Sequence, residues 1–122
     1  MKVLSIEDNA DINMLLETVL TSSGHEFVSI TDGRKGLELI KQNMYDVVLL
    51  DLGMPEFSGF DVLDALKKEK LMNKQKIIIL TASSIQDKEI NELIKEGVHS
   101  YLRKPLDIDV LVEKIQQTSS DK

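Results

Sequence analysis

Five side chains in this sequence can do chemistry together if the fold gathers them. They are the acidic pair Glu7–Asp8 in "SIEDN", Asp51 in "LLDLGMPEFSG", Thr81 in "ILTASS" and Lys104 in "YLRKP". Three carboxylates brought close repel one another, which favours protonating one of them or admitting a divalent cation. Carboxylates, a backbone carbonyl and water are hard oxygen ligands, suited to Mg²⁺ or Mn²⁺. Magnesium keeps several waters and takes a phosphate oxygen as a ligand, so such a site can bring a phosphate beside acids that would otherwise repel it. Lys104 adds a second positive charge and Thr81 a hydrogen-bond donor. Together these could stabilise the equatorial oxygens of a phosphoryl group in transfer. Asp51 is then a carboxylate that could act as the nucleophile.

Each residue also has a plainer use. Asp8 and Asn9 can cap a helix, and Thr81 is a good strand residue. Lys104 can be an ordinary surface lysine, and Asp51 can accept backbone hydrogen bonds in the turn that follows it. Taken singly, none of these readings yields to the chemical one. What changes the weighing is position: each residue stands at the end of a short apolar run.

Those runs alternate with helical patterns. Strands are expected at "KVLSI" (2–6), "EFVSI" (26–30), "DVVLL" (46–50), "KIIIL" (76–80) and "VHSYL" (98–102). Ile12, Leu15, Leu16, Val19 and Leu20 fall on one face of a first helix, stopped by Gly24. Asp32 can cap a second helix buried through Leu37 and Ile40. Ser58 can cap a third, using Val62, Leu63 and Leu66. Ile90, Leu93 and Ile94 mark a fourth, ended by Gly97. Asp107 can cap a fifth, buried through Ile108, Leu111, Val112 and Ile115. The third strand is apolar on both faces and therefore central. Strand–helix five times over implies an α/β fold: a parallel sheet with helices on both faces and right-handed crossovers. The strand tips then share one edge, and the common doubly wound orders place a site at that edge. The periodicity does not reveal the strand order.

The rest of the composition narrows the class. The chain has 122 residues, 42% hydrophobic and 30% charged, which fits one globular domain. Uninterrupted apolar runs such as "VVLL" reach only four residues, far short of a membrane span. "MKVLSIEDN" meets acids before any signal-like apolar region develops, so a cytoplasmic protein without membrane insertion is expected. With no cysteine there is no disulfide or thiol chemistry, and His25 and His99 alone make a poor zinc site. A net charge of −6 argues against direct nucleic-acid binding. The basic stretch "KKEKLMNKQK", Lys67 to Lys76, reads as a solvated helix end and loop, with a docking patch as the alternative.

Taken together, "KVLSIEDN", "LLDLGMPEFSG", "ILTAS" and "YLRKP" resemble the receiver domain of two-component response regulators. The resemblance runs from the first strand to the last helix. It implies a flavodoxin-like (βα)5 fold with strand order 2-1-3-4-5, a receiver domain over 1–118, and a frayed tail or linker start over 119–122. It implies that Asp51 takes a phosphoryl group from a histidine kinase or phosphotransfer protein. Asp8, Asp51 and the Gly53 backbone carbonyl would bind Mg²⁺, with Glu7 acting through water. Lys104 would pair with the phosphoryl group or Asp51, and the Lys104–Pro105 peptide would be cis, a form that proline tolerates. Thr81 would move towards the phosphoryl group and Tyr101 would rotate inward. This would change the face made by the fourth helix, fifth strand and fifth helix, where a downstream effector binds. Read without the resemblance, Tyr101 is an outer-strand aromatic used for packing. The resemblance allows a phosphorylation-dependent dimer. It makes the protein a switch that catalyses its own phosphorylation and dephosphorylation, not a dedicated enzyme.

Two positions depart from the common pattern. Glu7 stands where many members carry Asp, and Gly53 places no side chain over the site. With Ser83 two residues after Thr81, this predicts an open phosphoryl site. Three other functions compete. A Mg²⁺-dependent phosphohydrolase would want a second acid at position 53. A flavodoxin-like cofactor carrier would want a phosphate loop where "EDNAD" stands. A phosphate-independent interaction module would not need the full set of charged residues.

Overall fold

Four of the five helices open on a side chain that takes up backbone N–H groups left without partners in the first turn. Asn9 caps α1 (Ala10–Ser22) and Asp32 caps α2 (Gly33–Gln42). Ser58 and Asp61 form a reciprocal capping box on α3 (Gly59–Lys68). Asp107 accepts from Asp109 and Val110 at the start of α5 (Ile108–Thr118). Only α4 (Asp87–Lys95) begins without a side-chain cap. Gly24 and Gly97 stop α1 and α4 in the left-handed region, at φ +89° and +121°, where glycine is unstrained.

Between the helices run β1 (Lys2–Ile6), β2 (Glu26–Ile30), β3 (Val47–Asp51), β4 (Lys76–Thr81) and β5 (Ser100–Arg103). This computed structural model describes residues 1–82 and 84–118; the expectations placed on Ser83 and on the tail after residue 118 fall outside them. The strands form one parallel sheet in the order β2-β1-β3-β4-β5. The flavodoxin-like order expected from the resemblance is the one observed.

Side-chain alternation divides the core in two. Leu4, Ile6, Val48, Leu50, Ile77 and Ile79 face α2, α3 and α4. Val3, Val47, Leu49, Ile78 and Leu80 face α1 and α5. Every residue of β3 is buried, as a central parallel strand requires. Burying each of these aliphatic side chains contributes roughly 1.5–3 kcal/mol, so the sheet is a stiff base for its edge.

Three strands differ in their bounds from the sequence reading. β3 runs over 47–51 instead of 46–50 and β4 over 76–81 instead of 76–80, so Asp51 and Thr81 lie inside the ladder. β5 runs over 100–103 instead of 98–102, and its start is delayed because Val98 N–H still donates to Leu93 O, closing the end of α4. The face of α1 is also rotated. It packs through Asn13, Leu16 and Leu20, while Leu15 is 48% exposed and Val19 only half-buried. On α4, Ile94 is 39% exposed, which leaves Ile90 and Leu93 as the buried pair. The basic stretch is not simply solvated. Lys67 pairs with Glu96 and Asp64, Lys74 donates to Ile40 O, and Lys76 donates to Thr118 O.

Candidate functional site at the carboxyl edge of the sheet

The parallel order brings the ends of β1, β3, β4 and β5 to one edge, and the five chemical side chains with them. Asp51 is the last residue of β3, only 4% exposed. Its Oδ1 accepts from the Gly53 N–H at 2.8 Å, which tightens the turn after the strand. The plain use of Asp51 as a turn acceptor is thus real, and it occupies one oxygen only. Its Oδ2 lies 3.2 Å from Lys104 Nζ.

Glu7 leaves β1 fully buried, with Oε1 2.7 Å from the same ammonium. Its Oε2 accepts from the Asn9 N–H at 3.1 Å. Asp8 is exposed at the rim, yet Glu7, Asp8 and Asp51 each offer a carboxylate oxygen within 4.8 Å of the others. Two buried acids and one open to solvent, all hard oxygen donors, suit a divalent cation that must keep some of its water. The donor set therefore fits Mg²⁺ or Mn²⁺, as expected from the residue types.

Charge is distributed unevenly in this cluster. Burial, reinforced by the neighbouring Asp51 and Asp8, pushes Glu7 up to about 7 against the pull of Lys104. Burial works against ionising Asp51 too. The hydrogen bond with Glu7, the Gly53 N–H and the Lys104 charge outweigh it and hold Asp51 below the usual carboxylate range. The shared proton thus belongs to Glu7 and the negative charge to Asp51. Burial also disfavours the Lys104 ammonium, but its contacts with Glu7 and Asp51 prevail and raise it.

Thr81 ends β4 fully buried, with Oγ1 donating to Ala82 O at 3.3 Å. Lys104 is anchored beside it, because its N–H donates to Thr81 O at 2.8 Å. The Lys104–Pro105 peptide is cis. Tyr101 is half-buried against the α2–α4 core, with the Arg103 guanidinium 5.7 Å from its ring centroid. Arg103 reaches on to Ile85 O and Asp87 Oδ1, both at 2.7 Å, and so ties the β4–α4 loop to β5.

Sequence reading missed Ser5 and Asn13. Ser5 Oγ donates to Asn13 Oδ1 at 2.7 Å, and Asn13 Nδ2 donates to Glu7 O at 2.8 Å, all buried. The signal was present: a serine inside an apolar strand, and an asparagine in register with Leu16 and Leu20. Leu15, turned outward by the same rotation, lines an apolar groove with Ile12, Pro105, Leu106 and Ile108 beside Lys104.

Residues 3–116 match the family model described as "Response regulator receiver domain". The chain is 35% identical over 115 residues to the cell cycle transcriptional regulator CtrA of Caulobacter vibrioides, covering 94% of this chain and 48% of CtrA. It is 34% identical over 116 residues to the transcriptional regulatory protein DltR of Streptococcus agalactiae, covering 95% of this chain and 50% of DltR. The chain thus spans about half the length of the curated relatives it matches. The solved receiver domain of the Francisella response regulator 1452 superposes with a TM-score of 0.86 at 32% identity, covering 96% of this chain and 94% of that one.

Proposed function

Because the chain belongs to the response regulator receiver domain family, we propose that it is a phosphoacceptor switch with Asp51 as the acceptor. A carboxylate oxygen of Asp51 attacks the phosphorus of a kinase or phosphotransfer-protein phosphohistidine. The P–N bond breaks, the imidazole leaves, and an aspartyl phosphate forms. The observation that carries this reading is the meeting of Glu7, Asp8 and Asp51 with the Lys104 ammonium at one sheet edge. Asp51 is the acid kept ionised there, as a nucleophile must be.

Asp8, Asp51 and the Gly53 carbonyl would hold Mg²⁺ directly and Glu7 through water. The ion supplies charge that lets a phosphate approach the acids. Lys104 holds a second positive charge against the transferred group, and Thr81 offers its hydroxyl. Thr81 is the last residue of β4 and is paired in the ladder with Arg103, next to Lys104. A shift of the Thr81 side chain therefore reaches β5 and Tyr101. We take the surface of α4, β5 and α5 as the face that changes for a downstream partner. A partner shifts this equilibrium only through preferring one state. Among the described residues no helix is long and apolar enough to cross a membrane, in keeping with a cytoplasmic role.

The test is the intact mass after incubation with acetyl phosphate, with Mg²⁺ or with chelator. A phosphoryl adduct that needs the metal and is absent from Asp51→Asn is expected. No adduct under any condition overturns the reading, and turnover of unrelated phosphoesters replaces it with a phosphohydrolase.

A further inference from the structure

We infer that Asn13 is a positioning residue for the acidic pair Glu7–Asp8, acting with Ser5 to set the affinity of the site for its cation. The inference rests on the reading of Glu7, Asp8 and Asp51 as a metal-holding acceptor site.

Asn13 is only 5% exposed and Ser5 is fully buried. Ser5 follows the alternation of Val3 and points to the α1 side of β1. Leucine at position 13 would continue the Leu16–Leu20 stripe and bury more apolar surface. An amide there must find partners for both of its ends. Glu7 O can only accept, so the Asn13 NH₂ must face it, and Oδ1 must then face Ser5. The Ser5 hydroxyl has to donate. The orientation of the amide is therefore fixed by chemistry.

What it fixes in turn is the Glu7–Asp8 peptide. The N–H of Glu7 is held by Ile30 O at 3.1 Å, and its side chain by the Asn9 N–H. Its carbonyl is held by the Asn13 side chain at 2.8 Å. That carbonyl defines the peptide plane from which Asp8 departs, so rotating it swings one carboxylate relative to the other. Asn9 caps α1 through Asp11 and Ile12, which carries the restraint into the helix that bears Asn13. Groups that orient the ligands of a metal typically change its affinity by about 10- to 100-fold when lost.

Mg²⁺ titration by calorimetry, paired with urea unfolding in chelator, tests this. Asn13→Leu is expected to weaken Mg²⁺ binding by about tenfold or more. It also lowers stability, since Ser5 and Glu7 O lose their partner. The double variant Ser5→Ala/Asn13→Leu also removes the unpaired Ser5 hydroxyl, so the Ser5 share of the stability returns while the share owed to Glu7 O does not. The Mg²⁺ affinity stays weak, because Glu7 O is still unheld. At saturating Mg²⁺ both variants form the acetyl phosphate adduct at close to the wild-type rate. Affinity that is unchanged, or that recovers together with stability in the double variant, overturns the inference and makes Asn13 a packing residue. Should Asn13→Leu not fold, Asn13→Ala decides, since it also frees Glu7 O, and an unchanged affinity there overturns the inference too. Wild-type protein that binds no Mg²⁺ and forms no adduct brings down the functional reading itself. Wild-type binding with variants that match it brings down only the role of Asn13.

Discussion

Lys104 Nζ lies 2.7 Å from Glu7 Oε1, so a lysine at the end of β5 contacts a carboxylate that has no solvent of its own. Glu7 nevertheless keeps its proton up to about pH 7, because burial and the acids Asp51 and Asp8 outweigh that single cation. The contact stabilises the site without ionising Glu7 at mildly acidic pH.

A pH dependence of stability follows for the metal-free protein. Glu7 titrates near 7 when folded and near 4.5 when unfolded. Between those values the folded state holds a proton that the unfolded state has released. The contribution is fully present below about 4.5 and is lost as pH rises through about 7. Asp51, held low, acts in the opposite sense: its contribution is present above its ordinary range and lost as pH falls through its folded value. His25, lowered by burial and the nearby N-terminal charge, likewise loses stability below its ordinary 6.5. Subtracting Glu7→Gln from wild type isolates the Glu7 share. In urea unfolding with chelator, Glu7→Gln is expected to gain about 1–3 kcal/mol on wild type between mildly acidic and mildly alkaline pH. A difference that does not change with pH would show that Glu7 is ionised throughout.

The site was legible in the sequence because a parallel sheet puts every strand end on one edge. Glu7, Asp8, Asp51, Thr81 and Lys104 each follow an apolar run, so element assignment alone gathered them. Strand order was not legible from periodicity, which describes one strand at a time. The facing of α1 was not legible either. Ile12, Leu15, Leu16, Val19 and Leu20 form a stripe wide enough to seat in more than one rotation, and the Asn13 bonds to Ser5 and Glu7 O select one. Such a bond between a strand serine and a helix amide leaves no periodic trace.

Two glycines between Asp51 and the first turn of α3 should respond very differently to a methyl group. A Cβ on Gly59 would lie 2.4 Å from Asp51 O and 2.7 Å from Leu52 Cα, both backbone. Gly59→Ala must push α3 away from the loop. It is expected to cost about 1–3 kcal/mol by thermal or urea unfolding and to slow adduct formation at Asp51. A Cβ on Gly53 meets only Asp51 Oδ1, at 3.5 Å. Gly53→Ala should change stability by less than about 0.5 kcal/mol. Equal losses in the two variants would mean that the approach of α3 to Asp51 is not tight.

Arg103 holds the β4–α4 loop through unequal contacts. Its partner Asp87 is 82% exposed, so that ion pair contributes little. The bond to Ile85 O and the stacking on Tyr101 are better sheltered. Asp87→Asn is expected to leave unfolding stability within about 0.5 kcal/mol. Arg103→Ala should cost more and should speed hydrogen exchange around Ile85. Matching effects in the two variants would place the hold in the ion pair instead.

On the proposed function, a bound cation would draw on the acids that Lys104 already contacts. The ammonium touches Glu7 and Asp51, and both belong to the carboxylate cluster that would hold the metal. In the metal-free protein Lys104 is the cation that offsets these acids. Lys104→Met keeps most of the aliphatic stem and removes the charge, leaving Asp51 beside Glu7 with less compensation. The metal-free variant should therefore unfold at lower urea than wild type. A divalent ion then enters a more negative site without a lysine to repel it. A pair of unit charges about 4 Å apart interacts by up to about 4 kcal/mol where the effective dielectric constant is about 20, and less at a partly open site. Mg²⁺ is accordingly expected to bind Lys104→Met about tenfold more tightly by calorimetric titration. Added Mg²⁺ should also recover more stability in the variant than in wild type. Binding that is weaker or unchanged would show that the metal and Lys104 act on separate oxygens, and that the lysine neutralises the site without contending for it.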